Sequence, residues 1–218
     1  MISKVRHARG FDLARARREL ARVDPALAAW MRHIGPLDFD WHRPFDSVDA
    51  LARSILHQQL SGKAAATIER RLRDALPGGP RISAAGILAM DAQLMRDCGV
   101  SGNKRLALLD LATRSLDGGV PSARALAWMA NEEAIAALTQ VRGIGRWTVE
   151  MLLMFRLGRP DVLPVDDLGV RKGAQRLLQV EVMPRPGELL AHGARWAPWR
   201  SLAAFYLWQI ADRIDEVG

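Results

Sequence analysis

The run Val141-Arg142-Gly143-Ile144-Gly145, set between two apolar helical stretches, constrains this chain more than any other feature. Two glycines around one isoleucine suit a tight hairpin, with positive φ at Gly and the Ile plugging the helix pair beneath. One helix ends at Leu138-Thr139 and the next spans about Arg146 to Phe155. The first amides of that second helix lack intrahelical partners and, with the helix dipole, form a seat for an anion. Arg142 and Arg146 add positive charge on either side. The motif reads as a helix-hairpin-helix clamp for a phosphate backbone, built from Arg142, Gly143, Ile144, Gly145 and Arg146. A plain turn between helices can carry the same G-x-G. The arginines argue for the clamp, and so does a carboxylate pair, Asp166-Asp167, some twenty residues beyond Trp147.

No segment alternates apolar and polar residues with period two over a useful length, so the chain is predicted to be all-α. Apolar spacing and turn residues predict helices over 11–23, 25–33, 47–60, 62–76, 83–89, 91–98, 102–116, 122–128 and 131–139. After the central motif they continue over 167–178, 187–196 and 199–212. Asp24-Pro25 is a strong helix start, with Asp as N-cap and Pro in the first turn. Asp46 or Ser47 caps the helix after the aromatic loop 37–47, and Ser61 caps the one that follows.

The 218 residues carry 31 Lys plus Arg against 24 Asp plus Glu, a net charge of +7. An arginine-rich excess suits a phosphate-bearing partner, although solubility alone can account for it. A single cysteine, Cys98, excludes an internal disulfide and a four-cysteine cluster, and beside Gly99 it reads as a packing residue. His7, His33, His42, His57 and His192 show no metal-ligand spacing. The longest apolar run, Val149 to Phe155, carries Glu150 and is too short to span a bilayer. The first twenty residues lack a signal-peptide core. A soluble, cytoplasmic protein is the expectation.

The run VRGIGRWTVEMLLMF followed by DVLPVDDLGVRKG resembles the helix-hairpin-helix DNA glycosylase superfamily, in particular its alkylation-repair branch. LARSILHQQLSGKAA (51–65) is similar to that family's early glutamine-rich helix, and WAPWRSLAAFYLW (196–208) to its closing segment. The resemblance spans about residues 45–210, with motifs in family order. It implies two helical subdomains, a central one at 47–159 and one built from both chain ends, 1–46 with 160–218, with the active cleft between them. The extra N-terminal domain of larger relatives is expected to be missing, as is the iron–sulfur cluster of some branches. The implied partner is double-stranded DNA bearing a damaged base, bound by a monomer.

An enzyme acting on a base must flip it from the duplex, fill the gap, hold the base and cleave the glycosidic bond. A carboxylate beside the sugar can stabilise positive charge at the anomeric carbon and orient water. Both Asp166 and Asp167 suit this, and both equally suit helix capping, which leaves room for one to cap while its neighbour faces the cleft. Alignment on GIGRW and DDLGVRKG places the family's catalytic aspartate on Asp167, and the Val-Asp pattern of other branches would choose Asp166; the apolar residue that the branches share three positions on, here Val170, favours Asp167. The resemblance puts Trp147 and Trp208 in the base pocket, where an indole face attracts a cationic alkylpurine. It puts Met151, Leu168 and Gln209 where better-known relatives carry tyrosines. Lyase branches carry a Schiff-base lysine at the position of Trp147, and an indole cannot form one. Gln59, with Gln58 before it and Leu60 after, falls at the duplex wedge, where the better-known pattern is apolar. Polar helix-end residues are the plain alternative for both glutamines. The family hairpin can also hold a monovalent cation on backbone carbonyls, here Thr139, Val141 and Ile144. A non-catalytic DNA-binding module and a glycosylase for oxidised or mismatched bases are the competing functions. The first has no use for Asp167 and two pocket tryptophans. The second is disfavoured by Trp147 and by the single cysteine.

Overall fold

The computed structural model describes residues 6–213, and all regular elements among them are helical: thirteen α-helices, one 3-10 turn and no strand. None of these helices is long and apolar enough to cross a membrane. The described chain divides into two compact units, one formed by Pro44–Val149 and the other by His7–Arg43 with residues 150–213.

The first unit holds α3 (Ser47–His57), α4 (Gly62–Ala75), α5 (Ala84–Ala89), α6 (Ala92–Asp97), α7 (Gly102–Leu116), α8 (Ala123–Leu126) and α9 (Asn131–Leu138). It also contains the hairpin and the opening of α10 (Arg146–Phe155), and the boundary between units falls inside that helix. Helix α7 is the central strut, packing against α3, α5 and α6 through the buried Leu108, Leu111 and Ala112. The second unit holds α1 (Leu13–Val23), α2 (Pro25–Ile34), the rest of α10, α11 (Leu168–Leu177), α12 (Pro186–Gly193) and α13 (Arg200–Asp212). Its centre is α13, buried along most of its length and packed on α11, α1 and α2.

Local chemistry explains where most helices begin. Asp12, Asp24, Asp46, Ser61, Ser83, Asp91, Ser101, Ser122 and Asp167 each accept a hydrogen bond from an amide in the first turn of the helix they cap. At α9 and α12 the N-caps are Ala130 and Arg185, and a glutamate three residues on reaches back to the cap amide. Asp24 does more than cap α2. Its buried carboxylate accepts from Leu27 N–H at 2.9 Å and from the indole N–H of Trp196 at 2.8 Å, with His192 Nε2 at 3.4 Å. Burial opposes the charged carboxylate, but these bonds outweigh it and hold the group below its ordinary range.

Several expected boundaries shift. Helix α3 stops at His57 instead of continuing to residue 60, because Gln58 turns to extended backbone (φ −60°, ψ 137°) and Gln59 follows in the left-handed region at φ 56°. The segment expected as helix 187–196 divides into α12 and a 3-10 turn at Ala194–Trp196. Helix α8 is a single turn, shorter than the expected 122–128.

Candidate active site

The hairpin is held from beneath. Ile144 is buried, and its amide donates to the Val141 carbonyl at 3.0 Å. Gly143 takes φ 78°, the left-handed geometry expected of it. Gly145 departs from that expectation: its φ is not positive, and a methyl group there would meet nothing within 4 Å. The Asp110 carboxylate on α7 accepts from the Arg142 amide at 2.8 Å and from Arg114 Nε at 2.9 Å. The Arg142 amide, ahead of the opposing burial, and the Arg114 guanidinium keep the Asp110 carboxyl below its ordinary range.

The two flanking arginines are exposed but not equivalent. Arg146 is engaged bidentately by Glu132 of α9 through both terminal nitrogens. An anion taken up by Arg146 must compete with that carboxylate. The pair is exposed, so it is worth at most about 1 kcal/mol and can exchange. Of the carbonyls expected to face a monovalent cation, that of Val141 already accepts the Ile144 amide. Its second lone pair is what a cation would take.

Gln58 and Gln59, expected together at the wedge, behave differently. Gln59 is exposed, with Leu60 beside it at 40% exposure. The Gln58 side chain is turned to the protein, donating from Nε2 to the Gly143 carbonyl at 2.8 Å. Trp147 is 48% exposed at the start of α10, which sets it apart from a core tryptophan such as the fully buried Trp196. Trp147, Met151 and Phe155 recur every four residues along one stripe of α10. Met151 is half-buried and Phe155 exposed.

In the second unit, Asp167 and Trp208 meet. The indole N–H of Trp208 donates to Asp167 Oδ1 at 2.8 Å, and the same oxygen accepts from Val170 N–H at 2.8 Å. Asp167 is thus itself the cap of α11. Asp166 is exposed and Asp167 partly buried. Two bonds on one oxygen fix the plane of the Asp167 carboxylate. Leu168 is 54% exposed, and Gln209 beside Trp208 is half-buried. Trp208 stacks on Phe155 at 5.8 Å, and Phe205 lies 5.1 Å from Phe155 and 5.8 Å from Trp208.

Two contributors escaped the sequence reading. Phe155, exposed and stacked on Trp208, is one, and its signal was the four-residue spacing from Trp147 through Met151. Gly169 is the other: a Cβ there would stand 2.7 Å from Trp208 Cδ1 and 3.2 Å from Asp167 Oδ1. Only a glycine lets the indole reach the carboxylate. The recurrence of glycine at 169 and 173, one face of α11, was the available clue.

Residues 52–198, spanning hairpin and carboxylate alike, match the HhH-GPD superfamily of base excision DNA repair proteins. The chain belongs to that superfamily. Among HhH-GPD proteins it is 37% identical over 198 residues to DNA-3-methyladenine glycosylase 1 of Schizosaccharomyces pombe, covering 84% of this chain and 87% of that one. Its fold superposes on the S. pombe 3-methyladenine DNA glycosylase in complex with abasic DNA with a TM-score of 0.82 and 34% identity, covering 94% of this chain and all of the other. A DNA-3-methyladenine glycosidase structure from Bacillus halodurans gives a TM-score of 0.83 at 30% identity, covering 91% and 89% of the two chains.

Proposed function

We propose that the protein is a DNA-3-methyladenine glycosylase of base excision repair, which hydrolyses the N-glycosidic bond of an alkylated base in duplex DNA and leaves an abasic site. The observation that carries this reading is the Trp208–Asp167 pair, a carboxylate oriented by an indole, in a chain 37% identical to a 3-methyladenine glycosylase. Asp167 is assigned the catalytic role over Asp166, because its carboxylate is the one held in a fixed plane beside an aromatic wall.

In the proposed reaction the C1′–N bond breaks and its electron pair leaves with the base. An alkylated purine already carries positive charge, so it departs as a neutral molecule. Positive charge builds on the sugar, where the Asp167 carboxylate stabilises it and orients water. The water oxygen bonds to C1′ and its proton passes to the carboxylate and then to solvent. Trp147 and Trp208 hold the cationic base by their faces, with Met151, Leu168 and Gln209 around them. Arg142, Arg146 and the amides of Gly143 and Gly145 grip the phosphate backbone, and Gln59 fills the gap left in the duplex. A monovalent cation on the carbonyls of Thr139, Val141 and Ile144 would brace the hairpin, and no chemical step runs through it.

The test is incubation with duplex oligonucleotides that each carry one lesion, followed by identification of the released base. Free 3-methyladenine and a strand that breaks only after alkali or heat are expected. Efficient trapping of a protein–DNA adduct by borohydride would instead reveal a lyase amine and overturn the hydrolytic assignment. Affinity for duplex that stays flat as salt rises would sink the backbone clamp.

A further inference from the structure

Helix α7 holds two neighbouring elements of the first unit along one face. Lys104 Nζ donates to the Leu56 carbonyl at 2.6 Å, closing the C-terminal end of α3 just before the glutamine pair. One turn on, Ala107 is the nearest neighbour to Gly143, 3.5 Å from where a Cβ on that glycine would stand. A further turn on, Asp110 fixes the Arg142 amide at the hairpin entrance. Lys104 and Asp110 are thus about 9 Å apart along the helix axis. His57 Nε2 lies 2.7 Å from Glu69 Oε2 and braces the same end of α3 from α4.

Gln58 bridges the two elements directly, from the end of α3 to the Gly143 carbonyl. The next residue, Gln59, is forced into the left-handed region and projects into solvent. A non-glycine residue holds that conformation at a cost of about 1 kcal/mol or more, so its neighbours must define it. Gln58 does so on one side, through a bond to the hairpin.

We propose that Gln58 is a positioning residue and not a second wedge: it ties the exposed Gln59 to the hairpin, so that the grip on the phosphate backbone and the insertion into the duplex act as one rigid element. This rests on the glycosylase reading for the roles of the hairpin and of Gln59.

Two measurements test it without requiring base release. In Gln58→Ala, exchange of the Ile144 amide, which is bonded to the Val141 carbonyl within the hairpin, should speed up by about 5-fold in the free protein, the factor expected for one neutral hydrogen bond. Gln58→Glu, nearly isosteric but unable to donate to a carbonyl, should do the same, and it serves if the alanine variant folds poorly. Base unstacking is read from 2-aminopurine fluorescence in a bound duplex. Gln58→Ala and Gln59→Ala should each lower it about 5-fold or more, whereas adding Gln58→Ala to Gln59→Ala should cost less than 2-fold, because no inserted side chain is left to position. Unchanged exchange would overturn the tether, and losses that multiply would show Gln58 entering the duplex on its own account. A wild-type protein that unstacks the base and never releases it would refute the glycosylase reading while leaving the tether standing.

Discussion

Replacing Gly173 with alanine tests the packing that brings Asp167 and Trp208 together. In an isolated helix this change should stabilise by about 1 kcal/mol, since glycine is the poorer helix former. Here the new Cβ would stand 1.9 Å from the Leu207 carbonyl oxygen and 2.8 Å from its Cα, in the middle of α13. Backbone atoms inside a buried helix cannot swing aside. To reach ordinary contact at 3.4 Å, α11 and α13 must part by roughly 1.5 Å. A gap of even 0.5–1 Å forfeits about a quarter to a half of each contact's dispersion attraction across that interface. Overpacking of this kind costs about 1–3 kcal/mol and occasionally more. With no side chain able to yield, we expect a net loss of about 2–4 kcal/mol, against a usual total stability of roughly 5–15 kcal/mol. For a chain of this size that lowers the melting temperature by roughly 5–15 °C. Thermal melts followed by helical dichroism would check it, with Gly187→Ala as control, where a Cβ meets nothing within 4 Å. A Gly173→Ala protein that melts at or above the wild-type temperature would refute the reasoning. Gly169→Ala should behave differently, because the atom it strikes, Trp208 Cδ1, belongs to a side chain that can turn away. Its cost should fall mainly on excision.

Asp167→Asn keeps an oxygen to accept from Val170 and Trp208, so stability should change by no more than about 1 kcal/mol, while excision of neutral lesions should fall by about 10² or more. Asp166→Asn should leave excision near wild type, and lesion-containing duplexes under single turnover would expose a reversed order. Trp208→Phe retains an aromatic ring but removes the indole donor to Asp167 Oδ1. Excision should drop about 10-fold with affinity for an abasic-site duplex unchanged, and equal losses in both would count against an orienting role. Asp24 lies below its ordinary value of 3.8 in the folded chain, so it contributes stability that is complete above that value and lost as the pH falls through the lower folded value. Asp24→Asn should therefore flatten the acid side of the stability profile, as followed by urea melts from pH 6 down to about pH 3.

Helix starts were legible in the chain because a cap acts within one turn. Asp24-Pro25, Ser61 and the Gly143-Ile144 hairpin each specify a local geometry from residues adjacent in sequence. The all-α class followed for the same reason, since helical periodicity is written every three or four residues. The membership of Asp167 and Trp208 in the family pattern was legible too, but their contact was not. Forty-one residues separate them, and the bond exists because Gly169 and Gly173 let two helices approach closely. The sequence also could not say that Asp167 rather than Asp166 caps α11, since both types suit that position. Nor could it separate Gln58 from Gln59, identical in chemistry, one bonded inward to Gly143 and the other turned out by its backbone. Arg146 tells the same story, its charge plain in the sequence and its engagement by Glu132 visible only once α9 stands beside the hairpin. Local preference chooses among a few backbone states for each residue. Which side chains then meet depends on how closely whole helices pack, and that distance is set by atoms far apart in the chain.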